Sequence, residues 1–161
     1  MRVIMSLGLL VGRFGNFVRE THTAQADPLP VPPFPDGLNH LREAIGNHLI
    51  PLVLIARSDC DFDPRERDAI VTHCVTFAQS RGVEFDGSDT LEFVEYIESY
   101  RPSLMQLDPA LMLLERGSHD EMAALLAAAR AVIEADGVIR PEETKFLDEL
   151  KEELARFAAG S

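Results

Sequence analysis

Seven carboxylates fall into two clusters whose residue types suit one kind of chemistry. Asp59, Asp61, Asp63 and Glu66 form the first, and Asp136, Glu142 and Glu143 the second. All are hard oxygen ligands of the sort that hold Ca²⁺ or Mg²⁺. The first cluster has aspartates at loop positions one, three and five of an EF-hand, and there the match ends. Pro64 stands where that loop needs glycine, and Ile70 where it needs a bidentate glutamate. A cation would therefore be held by ligands gathered from two helices or from both clusters.

The clusters are copies of one pattern. Leu52–Ile70, LVLIARSDCDFDPRERDAI, shifted by 77 residues falls on Ala129–Leu147, ARAVIEADGVIRPEETKFL. Ile55 then matches Val132, Asp59 matches Asp136, Phe62 matches Ile139, Pro64 matches Pro141 and Glu66 matches Glu143. Each copy reads as an apolar helix, an acidic turn with a hydrophobic plug, and a second helix opened by proline. Leu52, Ile55, Ala56 and Asp59 share a helical stripe, as do Ala129, Val132, Ile133 and Asp136, so both aspartates are expected on the core side. They also sit at helix C-termini, where the macrodipole disfavours negative charge. Two kinds of compensation are open. Backbone amides of the turn and a capping box at Asp63–Glu66 are one, with Glu143 in the same place in the second copy. A divalent cation is the other.

The elements that must position these turns read as helices throughout. One is expected from Asp36 with Leu38, Leu41, Ile45 and Leu49 on one face, broken or kinked at Pro51 and resumed to about Ser58. Others run from Pro64 to Arg81 before Gly82, from Ser88 or Asp89 to Tyr100, and from Ser103 to Glu115. A capping box at Ser118–Glu121 opens the alanine-rich helix that follows, and the last begins at Pro141 and runs to about Phe157. No segment alternates as a strand does. The expected fold is an all-α bundle of two pseudo-symmetric halves, each a helix–acidic turn–helix.

Residues 1–26 differ from the rest. Three arginines against Glu20 give them +2, within a formal charge of −12, which leaves −14 for the other 135 residues. Val3, Leu7, Leu10, Phe14 and Phe17 form one helical stripe, suited to docking on the protein's own core, on a partner's groove or peripherally on a membrane through residues 1–20. A signal peptide fits poorly, because Arg13, Arg19 and Glu20 stand before the only cleavage-like site. Residues 27–36, DPLPVPPFPD, hold five prolines and read as an extended spacer, and residues 37–161 as the helical domain.

Such acidity excludes nucleic acid as a partner. Two cysteines make neither a zinc framework nor a disulfide scaffold. No nucleophile elbow or phosphate loop occurs, so the chain is expected not to be an enzyme. A metal-assisted hydrolase would need a base that no histidine near the carboxylates supplies. His73 and Cys74 read as core residues, Phe93, Tyr96 and Tyr100 as packing residues. Glu92, Glu95, Glu98, Glu149, Glu152 and Glu153 read as solvated faces.

The second copy, Ala135-Asp136-Gly137-Val138-Ile139-Arg140-Pro141-Glu142-Glu143, resembles the signature of the TerB-like family associated with tellurite resistance. The first fits it more loosely, with Ser58 for the alanine and Cys60 for the glycine. The resemblance covers residues 38–157. It implies an all-helical fold of two related halves, bound metal rather than catalysis, and a cytoplasmic role in stress response or as a scaffold for protein partners beside the inner membrane. The family includes the helical domain of a membrane-anchored co-chaperone, so a metal-free interaction scaffold is the alternative implication. By position, the implied ligands are Asp59, Glu66, Asp136 and Glu143.

Overall fold

The computed structural model describes residues 33–160, so the expectations for residues 1–26 and most of the spacer lie outside the described part. Within it the chain is helical, with no strand. Seven α-helices follow in order: α1 (Asn39–Ile45), α2 (Leu49–Ala56), α3 (Pro64–Ser80), α4 (Gly87–Ser99), α5 (Leu107–Glu115), α6 (His119–Glu134) and α7 (Pro141–Gly160). None is long and apolar enough to cross a membrane.

The helix α2, LIPLVLIA, is apolar on every side and is accordingly enclosed, packing on α3, α5, α6 and α7. The broadest contact is between α3 and α6, where Ala128 and Ala129 keep the α6 surface low. Leu52, Ile55, Ile70, Phe93, Leu111, Leu125, Val132, Phe146 and Leu150 join in one core. Phe34 packs edge-on against Tyr96 with ring centroids 5.1 Å apart, so the body begins inside the stretch that reads as spacer.

Helix ends differ from the sequence expectation in three places, each for a local reason. Pro51 does not break α2, because it occupies the first turn, where its missing N–H has no partner to lose. The break falls instead in a 3-10 turn at Gly46–His48. Asp86, not Ser88 or Asp89, caps α4: its side chain accepts from the Asp89 amide at 2.8 Å, and Asp89 answers to the Asp86 amide at 3.2 Å. Ser118 caps α6 by accepting from the Glu121 amide at 3.1 Å. The Glu121 carboxylate, however, lies 3.1 Å from Arg81 and 3.4 Å from His48. Glu153, expected in solvent, is buried beside Leu154 and accepts from Arg156 at 2.6 Å.

Phe93→Ala should lower unfolding stability by about 3–5 kcal/mol, because a fully buried ring leaves a cavity in the shared core. Leu91→Ala, two residues away on the exposed side of α4, should change it by less than about 0.5 kcal/mol. Paired urea titrations check both.

Candidate functional site: two acidic turns joined by Arg140

The turns joining α2 to α3 and α6 to α7 share one backbone plan. Cys60 and Gly137 both adopt left-handed backbone, with φ of 68° and 80°. Glycine does this without strain, whereas at Cys60 the same conformation costs about 1–2 kcal/mol. The bend lets each aspartate accept the amide two residues on: Asp61 N–H donates to Asp59 Oδ1 at 3.0 Å, and Val138 N–H donates to Asp136 Oδ1 at 2.7 Å. Each turn then ends in the same cap. The Asp63 amide donates to Glu66 Oε2 at 3.0 Å and the Arg140 amide to Glu143 Oε2 at 3.1 Å.

The side chains then depart from a simple copy. Asp63 in the first turn corresponds to Arg140 in the second. Asp63 turns outward, accepting from Arg65 N–H at 2.8 Å and Arg65 Nε at 3.0 Å, and that guanidinium holds its carboxyl below the usual range. Arg140 turns inward and bridges the turns. Its Nε lies 2.6 Å from Asp59 Oδ2 and its Nη1 2.9 Å from Asp136 Oδ2, with Asp61 at 3.6 Å. The two aspartate side chains are 7% and 4% exposed against 73% for Asp61, which agrees with their place on the core stripes. The Val138 amide and then Arg140 hold the Asp136 carboxyl below its ordinary value.

Beneath this bridge lie Glu66 and Glu143, 1% and 0% exposed. With each Oε2 committed to its cap, their Oε1 atoms are buried and meet no donor among the described residues, and the two carboxyls act on each other. Two acceptors in contact need a proton between them. Burial first, then the contact with Glu143, pushes Glu66 up to about 8, and Asp59 nearby adds to the push. Burial raises Glu143 as well, while the Arg140 amide and the Glu66 contact act against that rise. Both carboxyls are thus pushed toward the protonated form, with burial as the leading cause.

The structure thus brings Asp59, Glu66, Asp136 and Glu143 together from both repeats. Asp61 sits at the exposed edge, Asp63 is spent on capping and on Arg65, and Glu142, half-buried at the start of α7, takes no part in the network. As a cation site the four ligands do not fit as they stand. A guanidinium already occupies the space between the aspartates, each glutamate spends one oxygen on its own cap, and no three acidic, histidine or cysteine side chains converge as ligands among the described residues.

A second polar cluster was not apparent in the sequence. His48 Nδ1 and His73 Nε2 are 2.9 Å apart, so one donates to the other, and Phe77 stacks on His48 at 4.2 Å. His48 Nε2 faces Glu121, itself paired with Arg81. Burial first, then His73 and Arg81, pushes His48 down to about 3, and burial also lowers His73. Both rings are neutral, and the contact joins the 3-10 turn at Gly46–His48 to α3. The signal for it was His48 itself, one residue before an apolar helix.

Comparison with known proteins finds no match: no family model, no curated protein and no solved structure is similar to the chain.

The two clusters set opposite pH dependences. Folding raises Glu66 from its ordinary 4.5 to about 8, so its contribution is complete at acid pH and is lost as the pH climbs to about 8. Folding lowers His48 from 6.5 to about 3, so its contribution is complete above 6.5 and is lost as the pH falls toward 3. Thermal midpoints should fall on both sides of a maximum, and Glu66→Gln should flatten the alkaline limb alone. A Glu66→Gln limb as steep as the wild type's between pH 6.5 and 8 would refute the shared proton.

Proposed function

We propose that this chain is a non-enzymatic, TerB-like helical interaction module whose acidic turns are closed on each other by an internal cation, Arg140. The observation that carries this reading is the single guanidinium reaching Asp59 at 2.6 Å and Asp136 at 2.9 Å across the two repeats. A bound divalent ion would do the same work of neutralising two core-side aspartates at helix C-termini; Arg140 does it with a covalently tethered charge. The non-enzymatic assignment is supported by how the carboxylates are used. Glu66 and Glu143 are sealed from solvent, and Asp63 is committed to its cap, so none is presented to a substrate. A rigid acidic body fits a protein partner as its ligand. Two free thiols, Cys60 and Cys74, suit a cytoplasmic setting.

Thermal melts of chelator-treated protein test this, with and without millimolar Ca²⁺, Mg²⁺, Mn²⁺ or Zn²⁺. The wild type should show no saturable shift with any ion. Arg140→Gln should melt several degrees lower in chelator, and Ca²⁺ or Mg²⁺ should recover part of that loss, because the aspartates then face each other without a cation. A saturable upward shift of the wild type with one ion, lost in Asp59→Asn and in Asp136→Asn, would replace this reading with the cation-bound module that the resemblance implies.

A further inference from the structure

The two turns differ in what covers their hydrophobic plugs. In the first, Phe62 is half-buried under Arg57, whose guanidinium lies 4.0 Å from the ring centroid. Arg57 is held there by donating to the carbonyls of Ile97 at 3.2 Å and Glu98 at 3.0 Å, at the C-terminal end of α4. A helix therefore closes that turn. In the second, the matching Ile139 is 62% exposed and Val138 beside it 54%. Ile139 borders an open depression of about 650 Å³ that also involves Arg140, Thr144, Lys145, Asp148 and Glu152. Two adjacent aliphatic side chains thus stand exposed at the turn tip, with Asp148 and Glu152 beside Arg140 and Lys145 along the depression.

We propose that residues 1–26 of the same chain dock on this tip. Three observations select them over another occupant. Their stripe of Val3, Leu7, Leu10, Phe14 and Phe17 supplies an apolar face for the exposed pair. Arg2 and Arg13 flank that stripe, and with Arg19 they make the segment +2, against −14 for the rest of the chain. The reach is also adequate. Phe34 is anchored on Tyr96, the carbonyls of the next two residues hold Arg57, and the first turn touches the second through Asp59 and Arg140. Residues 27–33 alone span up to about 23 Å when extended, which lets the segment range well beyond the point of entry at Phe34.

The test places the photocrosslinker benzoylphenylalanine at position 139 of the full chain, where an exposed side chain is replaced. Irradiation should give a product of monomer mass whose digestion links position 139 to residues 3–17. Phe14→Asp combined with Phe17→Asp should cut its yield roughly tenfold or more, the loss expected when two phenylalanines exchange burial for water. A melt of each protein, with an unchanged main transition, confirms that the body is intact. A crosslink into a second copy, recognised by dimer mass and by loss on dilution, overturns the proposal. So does an internal yield that the Phe14 and Phe17 substitutions leave unchanged. Co-sedimentation with phosphatidylglycerol vesicles and no internal link would assign the segment to a membrane surface and overturn it as well.

Discussion

Two carboxylic acids facing each other inside a helical bundle constrain everything built around them. Glu66 and Glu143 are there because each caps its own helix, and Arg140 bound to Asp59 ties the turn before α7 to the turn before α3. Both cannot be ionised at contact in a medium of low polarity. One proton, the positive ends of two helix dipoles and the nearby guanidinium of Arg140 settle the charge. With those N-termini fixed side by side, the preceding helices α2 and α6 must arrive at neighbouring points, and their own terminal aspartates share one partner.

The polar machinery is divided between the two ends of the bundle. The turns lie where α2 and α6 finish and α3 and α7 begin. His48, His73, Arg81 and Glu121 gather at the opposite end, where α2 and α6 begin and α3 finishes. Each end holds buried groups pushed toward their uncharged form, two glutamates at one and a histidine pair at the other. Burial is the leading cause in both, and acts in opposite directions because it disfavours charge of either sign.

What could be read without coordinates was whatever depends on spacing. The 77-residue repeat, the caps at Asp63 and Ser118 and the inward stripe carrying Asp59 and Asp136 are local patterns, and local hydrogen bonds realise them. What could not be read was pairing across distance. Arg140 looks like an ordinary turn residue, and nothing in its neighbourhood announces a partner 81 positions earlier. Glu66 and Glu143 each read correctly as caps, yet a cap uses one carboxylate oxygen, and the fate of the other is a tertiary question. His48 and Glu153 were missed or misplaced for a related reason: each is buried through a contact that hydrophobic periodicity does not record. Pro51 shows the reverse error, since a strong breaker has no effect in a first turn.

The enclosure of α2 carries a consequence for how the molecule moves. A helix with six of its eight residues buried, and only Ile50 and Leu54 half-exposed, cannot detach while α3, α5, α6 and α7 remain assembled. Its amide hydrogens can therefore trade with solvent deuterium only when the whole bundle comes apart. Exchange at Leu52, Val53 and Ile55 then becomes an internal clock for global opening, set apart from the faster breathing of the surface around it.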